Sequence, residues 1–188
     1  MRVVSGLARG HKLICLPGDD IRPTSDKVKG AIFSSIGDDI TGCAFLDIFS
    51  GSGAIGIEAL SRSAGEIVFV ESEREHVKII EKNVEHIINA VNEPCYKIIN
   101  TTALNALNML SADGKMFDVI FMDPPYRQNL WKDVLESIHK THLLKSGGII
   151  IIEMAKDEEI PSCEHFEIFK SKHYGKTSVY YIRNFKEN

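Results

Sequence analysis

Asp123-Pro124-Pro125-Tyr126 places a carboxylate, a rigid turn and an aromatic ring directly after the apolar run Val119-Ile120-Phe121-Met122. Each proline fixes its own φ and biases the residue before it toward an extended conformation. The Asp123 carboxylate and the Pro124 carbonyl are then two acceptors aimed at one –NH2 group, with Tyr126 flat against the ring that carries it. Such a clamp suits a planar amine. A nucleobase amine is a poor nucleophile because its lone pair is delocalised. Accepting both of its N–H bonds favours a tetrahedral nitrogen, poised for in-line attack on a methyl donor, so the gain is mostly positional. An Asp at its ordinary pKa of about 3.9 is too weak a base to deprotonate the amine first. Stacking on Tyr126 adds about 1–3 kcal/mol per base, and a base in a duplex must first be flipped out. The plainer alternative is a proline turn that ends a strand, with Tyr126 as packing at its rim.

A second group precedes it by three quarters of a hundred residues. Asp47-Ile48-Phe49-Ser50-Gly51-Ser52-Gly53-Ala54-Ile55-Gly56 joins an apolar run to a helix-like segment. Glycines let backbone N–H groups approach a ligand, and a helix N-terminus favours an anionic group. Glu71 ends the next apolar run, 20 residues after Gly51, where a carboxylate can accept hydrogen bonds from both hydroxyls of a ribose. Two cofactors fit. Gly51 to Gly56 satisfies the GxGxxG dinucleotide fingerprint with its downstream acid. S-adenosylmethionine also carries a ribose, and presents a carboxylate to the turn. Asp47 separates them: it repels a pyrophosphate but can hold the methionine ammonium, directly or through water. The sequence favours adenosylmethionine over NAD, and a glycine-rich turn without ligand stands beside both.

A repeating strand–helix rhythm positions these groups. Strands are predicted over 45–49, 67–70, 96–99, 119–122 and 149–152, the last entered through a Gly147-Gly148 turn. Helices are predicted from the glycine turn through Arg62, over 74–89 with Val77, Ile80, Val84 and Ile87/Ile88 on one stripe, around Leu104-Leu107-Leu110, and over 129–139. Segments 165–170 and 178–183 read as a closing antiparallel hairpin. Residues 1–16, around Gly6, Gly10 and His11, read as an N-terminal β-hairpin. Arg22-Pro23-Thr24-Ser25-Asp26 reads as the start of a helix that Gly37-Asp38-Asp39 ends. The whole is an α/β, doubly wound, seven-stranded, mostly parallel sheet with right-handed crossovers. It forms one domain, 1–188, with residues 1–20 as the hairpin extension and 21–188 as the core. Asp47 and Asp123 lie 76 residues apart, three strand–helix units. In the order 3-2-1-4-5 the first and fourth strands are neighbours at the switch point, outside whose carboxyl ends ligands bind. Both motifs should therefore open on one crevice.

Bulk composition sets limits. The chain has 188 residues, 44% of them apolar, and a net charge of −4. The longest unbroken run of isoleucines, 149–152, is far short of a membrane span, and the polar N-terminus carries no secretory signal. Cys15, Cys43, Cys95 and Cys163 are scattered without a CxxC pair, so reduced thiols in a cytoplasmic protein, mostly in the core, are expected and no metal site is. Residues 1–30 hold six Lys/Arg against three Asp, and residues 170–188 five against one Glu. Two basic ends on an acidic chain can hold a polyanion, or can be ordinary solvated charge.

The chain resembles the RsmD family, methyltransferases acting on a guanine amine of 16S ribosomal RNA. The resemblance runs through Val3-Val4-Ser5-Gly6, Arg9-Gly10-His11-Lys12-Leu13, Arg22 to Val28, Ala31-Ile32-Phe33, Leu46 to Arg62, Asp123 to Tyr126 and Tyr174-Gly175-Lys176-Thr177. It implies a Rossmann-like class I methyltransferase fold and transfer from adenosylmethionine to guanine N2. It puts Asp123, Pro124, Pro125 and Tyr126 at the amine, and Thr24, Asp47, Phe49, Gly51, Gly53, Glu71, Ser72, Thr102 and Ala103 at the cofactor. Arg9, Lys12 and Arg22 become candidates for RNA phosphates. The partner implied is 16S rRNA or an assembling small subunit, met by a monomer away from any membrane. The chain departs from many relatives at Thr102, where Asp or Asn is common, at Gly30, where an acid is common, and at Ser63, where Gly is common. Trp131 is expected to pack on the sheet or line the crevice, and Glu153 to stand behind the site or simply end a strand. Competing readings are a methyltransferase for adenine or a glutamine amide, an NAD-dependent dehydrogenase, which leaves Asp123 to Tyr126 without a role, and a non-catalytic RNA-binding module.

Overall fold

The computed structural model describes residues 1–16, 25–91, 94–125, 129–158, 160 and 162–185. Ser25 caps the first helix, α1 (Asp26–Ile36): its hydroxyl accepts the Val28 N–H at 3.2 Å, an arrangement worth about 1 kcal/mol. A 3-10 turn (Gly37–Ile40) leads to β1 (Ala44–Ile48), followed by α2 (Ala54–Ser61), β2 (Glu66–Glu71), α3 (Arg74–Ile87), β3 (Tyr96–Asn100), α4 (Ala103–Ala112), β4 (Phe117–Met122), α5 (Leu130–Thr141), β5 (Leu144–Ala155), β6 (Phe166–Tyr174) and β7 (Thr177–Asn184). The sheet runs β3-β2-β1-β4-β5-β7-β6. Strands β1 to β5 are parallel, and β7 pairs antiparallel with both β5 and β6. The α/β, doubly wound, seven-stranded fold is as the strand–helix rhythm predicts.

The sheet is covered on both faces, which is why its central strands read as continuous apolar runs rather than alternating ones. One core packs α1, α2 and α3 against Phe45, Ile67, Phe69, Phe121 and Tyr181. The other packs α4 and α5 against Leu46, Ile48, Val68, Ile120 and Met122. No helix among the described residues is long and apolar enough to cross a membrane.

Three expectations change. β5 is longer than 149–152, because Gly147-Gly148 lies inside it at an irregularity: Phe117 pairs with Leu144, but Val119 pairs with Ile149. The glycines allow extra residues to bulge there without ending the strand. The N-terminal hairpin is reduced to one antiparallel bridge, Arg2 with Lys12, supported by Val3 N–H to His11 O (2.9 Å) and Gly10 N–H to Val3 O (2.9 Å). Leu13 N–H to Met1 O (3.1 Å) also stays within the arm, while the N–H groups of Val4, Ser5, Leu7, Ala8 and Ile14 bond to residues of α2 and α3. Of the four free cysteines only Cys43 is core; Cys95 is exposed, and burial pushes the Cys43 thiol up to about 12.

Candidate active site

β1 pairs with β4 in register, Asp47 opposite Phe121 and Ile48 opposite Met122. The turn after β1 and the turn after β4 are therefore neighbours at the carboxyl edge of the sheet, where the winding reverses. Phe49, Ser72, Thr101, Thr102, Ala103 and Pro125 are among the residues lining a cavity of about 450 Å³ there. Residues from the ends of β1, β2, β3 and β4 thus share one wall, and its size suits a nucleoside-sized ligand.

The glycine turn is held by its own polar groups. Ser50 Oγ donates to Asp47 O at 2.7 Å and accepts the Val70 N–H at 3.1 Å. Asp47, 1% exposed, accepts the Gly56 N–H at 2.9 Å, so its carboxylate ties the first turn of α2 to β1. Gly56 has no room for a side chain, since a Cβ would lie 2.3 Å from the Phe69 ring. Glu71 accepts the Gly51 N–H at 2.8 Å through one carboxylate oxygen and the Glu73 N–H at 2.9 Å through the other. Each oxygen keeps a lone pair for a further donor. Phe49 sits at φ +61°, turned into the cavity.

The acceptor side differs. Asp123 is half-buried and Pro124 buried, while Pro125 is exposed. No hydrogen bond to the Asp123 carboxylate is found among the described residues. Burial, then the like charges of Glu153 and Asp47, hold its pKa well above the ordinary value. Asp47 is itself pushed up to about 7 by burial, with the Gly56 N–H pulling it back and Glu71 adding to the rise. Glu153, 3% exposed at the end of β5, therefore acts electrostatically on Asp123. Tyr126, Arg22 and Thr24 lie outside the described residues.

Other expected residues fall in two places. Thr102 is the N-cap of α4, its hydroxyl accepting the Asn105 N–H at 3.5 Å. Asp and Asn are equally good caps. Ser63 stands at φ +66°, a conformation that glycine adopts without strain. Trp131 packs into the core beneath α5 and lines a small recess with Cys163 and Phe166, not the crevice. Arg9 sits near the tip of the N-terminal arm, where Leu7 N–H bonds Ser61 O at 2.7 Å. That is the far end of α2 from the glycine turn, about 12 Å along the helix axis. Lys12, exposed, lies midway along the arm.

Three residues went unread. Asn83, fully buried on α3, accepts the Ile14 N–H at 2.7 Å and donates to Ile14 O and Ser52 O at 2.9 Å each. Asn100 donates to Glu71 O (3.0 Å) and Ser72 O (2.9 Å), fixing the end of β2. Glu58 on α2 accepts the N–H groups of Val4 (2.7 Å) and Ser5 (2.9 Å) and faces Lys29 Nζ at 3.4 Å, both side chains fully buried. A polar residue inside an apolar helix stripe was the available signal for Asn83.

The family model described as "Conserved hypothetical protein 95" matches residues 1–183. The Ribosomal RNA small subunit methyltransferase D of Haemophilus influenzae is 32% identical over 184 residues, spanning 98% of this chain and 94% of that protein. The protein of the same name in Escherichia coli is 30% identical over 162 residues, 86% and 78% of the two chains. The solved structure of yhhF from Escherichia coli superposes with a TM-score of 0.82 at 25% identity, covering 98% of this chain and 97% of that one.

Proposed function

This chain belongs to the family described as Conserved hypothetical protein 95, the RsmD family, and we propose that it transfers a methyl group from S-adenosylmethionine to the N2 amine of a guanine in 16S ribosomal RNA. The observation that carries the reading is the shared cavity wall: Phe49 beside the glycine turn and Pro125 of the Asp-Pro-Pro turn face the same space. The names of the relatives support methylation of small-subunit ribosomal RNA; the clamp supports a planar amine, and the choice of guanine N2 among such amines rests on the family resemblance.

The residues fit this cofactor. Glu71 would take the ribose hydroxyls, the Gly51–Gly53 backbone the carboxylate end, and the Phe49, Ala103 and Thr102 wall the adenine. Asp47 would act through the turn it fastens and through its charge. The cofactor supplies an electrophilic methyl group. Asp123 and the Pro124 carbonyl would accept the two N–H bonds of the incoming amine and hold its nitrogen in line, with Tyr126 against the base. The raised pKa changes one expectation: Asp123 is a stronger base than an ordinary carboxylate, so an Asp123 oxygen is a fit acceptor for the proton that the methylated nitrogen releases.

The test is labelled-methyl transfer by the full chain to ribosomal RNA from cells lacking it, followed by mapping of the modified base. Label on one guanine N2 is expected. Label on adenine, or in protein alone, would refute the assignment.

A further inference from the structure

Tyr174-Gly175-Lys176-Thr177, singled out in the sequence, has no part in the site so far. It forms the β6–β7 turn, and β7 pairs with β5 so that Thr177 lies opposite Ala155. The turn therefore stands at the carboxyl edge of the sheet, on the active-site side. The Lys156 N–H donates to Lys176 O at 2.9 Å, locking this turn to the end of β5. Lys156, Asp157, Gly175 and Lys176 line an open depression of about 670 Å³, and both lysine side chains are exposed.

We propose that Lys156 and Lys176 form a phosphate-binding rim that grips the RNA backbone beside the nucleotide delivered to Asp123. The inference rests on the RNA methyltransferase reading above. β4 and β5 pair Met122 with Ile152, so Asp123 ends beside Glu153, and Lys156 follows three residues later, about 10 Å further along the strand. A base extruded into the crevice carries its neighbouring phosphates to this edge. Arg9, by contrast, is held at the opposite end of α2 by the Leu7–Ser61 bond, so it serves more distant RNA. Two compact ammonium groups on adjoining turns read charge, not sequence.

The test compares K156E/K176E and K156Q/K176Q with wild type, as full chains, in methyl transfer to naked ribosomal RNA over a range of salt. The rim predicts an RNA KM raised about tenfold or more in the reversed variant, and less in the neutral one, with kcat, adenosylmethionine affinity and melting temperature unchanged. The slope of log affinity against log salt should fall by about 0.7–0.9 for each lysine lost. An unchanged KM and slope, with wild type active, overturns the rim alone. A defect seen only on assembled subunits and absent on naked RNA assigns the lysines to a protein partner and likewise overturns it. A wild type that methylates no RNA fails the functional reading and takes the rim with it.

Discussion

Two turns end neighbouring strands, and they are built on opposite plans. The glycine turn after β1 is fastened by Ser50, Asp47, Glu71 and Asn83, each with hydrogen bonds of 2.7–3.1 Å. The Asp-Pro-Pro turn after β4 gets its shape from two proline rings, and its carboxylate has no hydrogen-bond partner among the described residues. The difference is chemical. A cradle for a cofactor must hold one shape, and fixed donors do that. A group that has to accept new N–H bonds must keep its lone pairs available, and burying it beside Glu153 and Asp47 keeps its proton affinity high.

The sharpest way to break this comparison is Asp123→Ala. It should cut kcat by about 10²–10³-fold, the scale of a lost transition-state contact, and leave adenosylmethionine affinity near wild type in calorimetry; full turnover would end the clamp role. Next is Glu71→Ala. Losing charge-assisted hydrogen bonds of about 1.5–3 kcal/mol should weaken cofactor binding about 10–100-fold, with kcat retained at saturation. Unchanged affinity would dismiss the ribose contact.

pH gives a smaller, graded effect. The folded pKa of Asp47, about 7, lies above its unfolded value. The proton it keeps therefore stabilises the unliganded fold at low pH, and that contribution fades as pH rises from about 4 to about 7. A cationic ligand favours the ionised form, so adenosylmethionine affinity should climb between about pH 6 and 8. Asp47→Asn should flatten the profile; a wild-type profile already flat would remove Asp47 from the cofactor's field. Smallest of all, Thr102→Asn exchanges one good cap for another and should move affinity and melting temperature only slightly, within about 0.5 kcal/mol. A large loss would give the hydroxyl a direct role.

The crevice was legible because its two motifs sit at strand ends, where apolar runs give way to glycine or proline, and because a doubly wound sheet leaves little choice about which ends adjoin. β5 was only half legible: Gly147-Gly148 reads as a turn in sequence, whereas the pairings of Leu144 and Ile149 with β4 on either side of it carry the strand through. The N-terminal arm was half legible for a related reason. Alternation suggested two paired strands, but Val4, Ser5, Ala8 and Ile14 bond to Glu58, Ser61 and Asn83, and sequence spacing gives no sign of partners 53 to 69 residues away. Nothing in the sequence marks Lys29 on α1 for the full burial it has.

The arm's attachment has a consequence for the folded core. Gly6 comes so close to α2 that a Cβ would lie 1.9 Å from Ser61 O. Glu58 and Lys29 complete their coordination on the backbone of residues 2–5. Deleting the first sixteen residues would strip the buried Glu58–Lys29 pair and Asn83 of these backbone partners and uncover the apolar surface that Val3, Ala8 and Leu13 bury, at a cost of several kcal/mol. The arm is thus a keystone of the catalytic domain, and truncation is the wrong tool for asking what it binds. Charge changes at its tip, which leave the seam intact, are the right one.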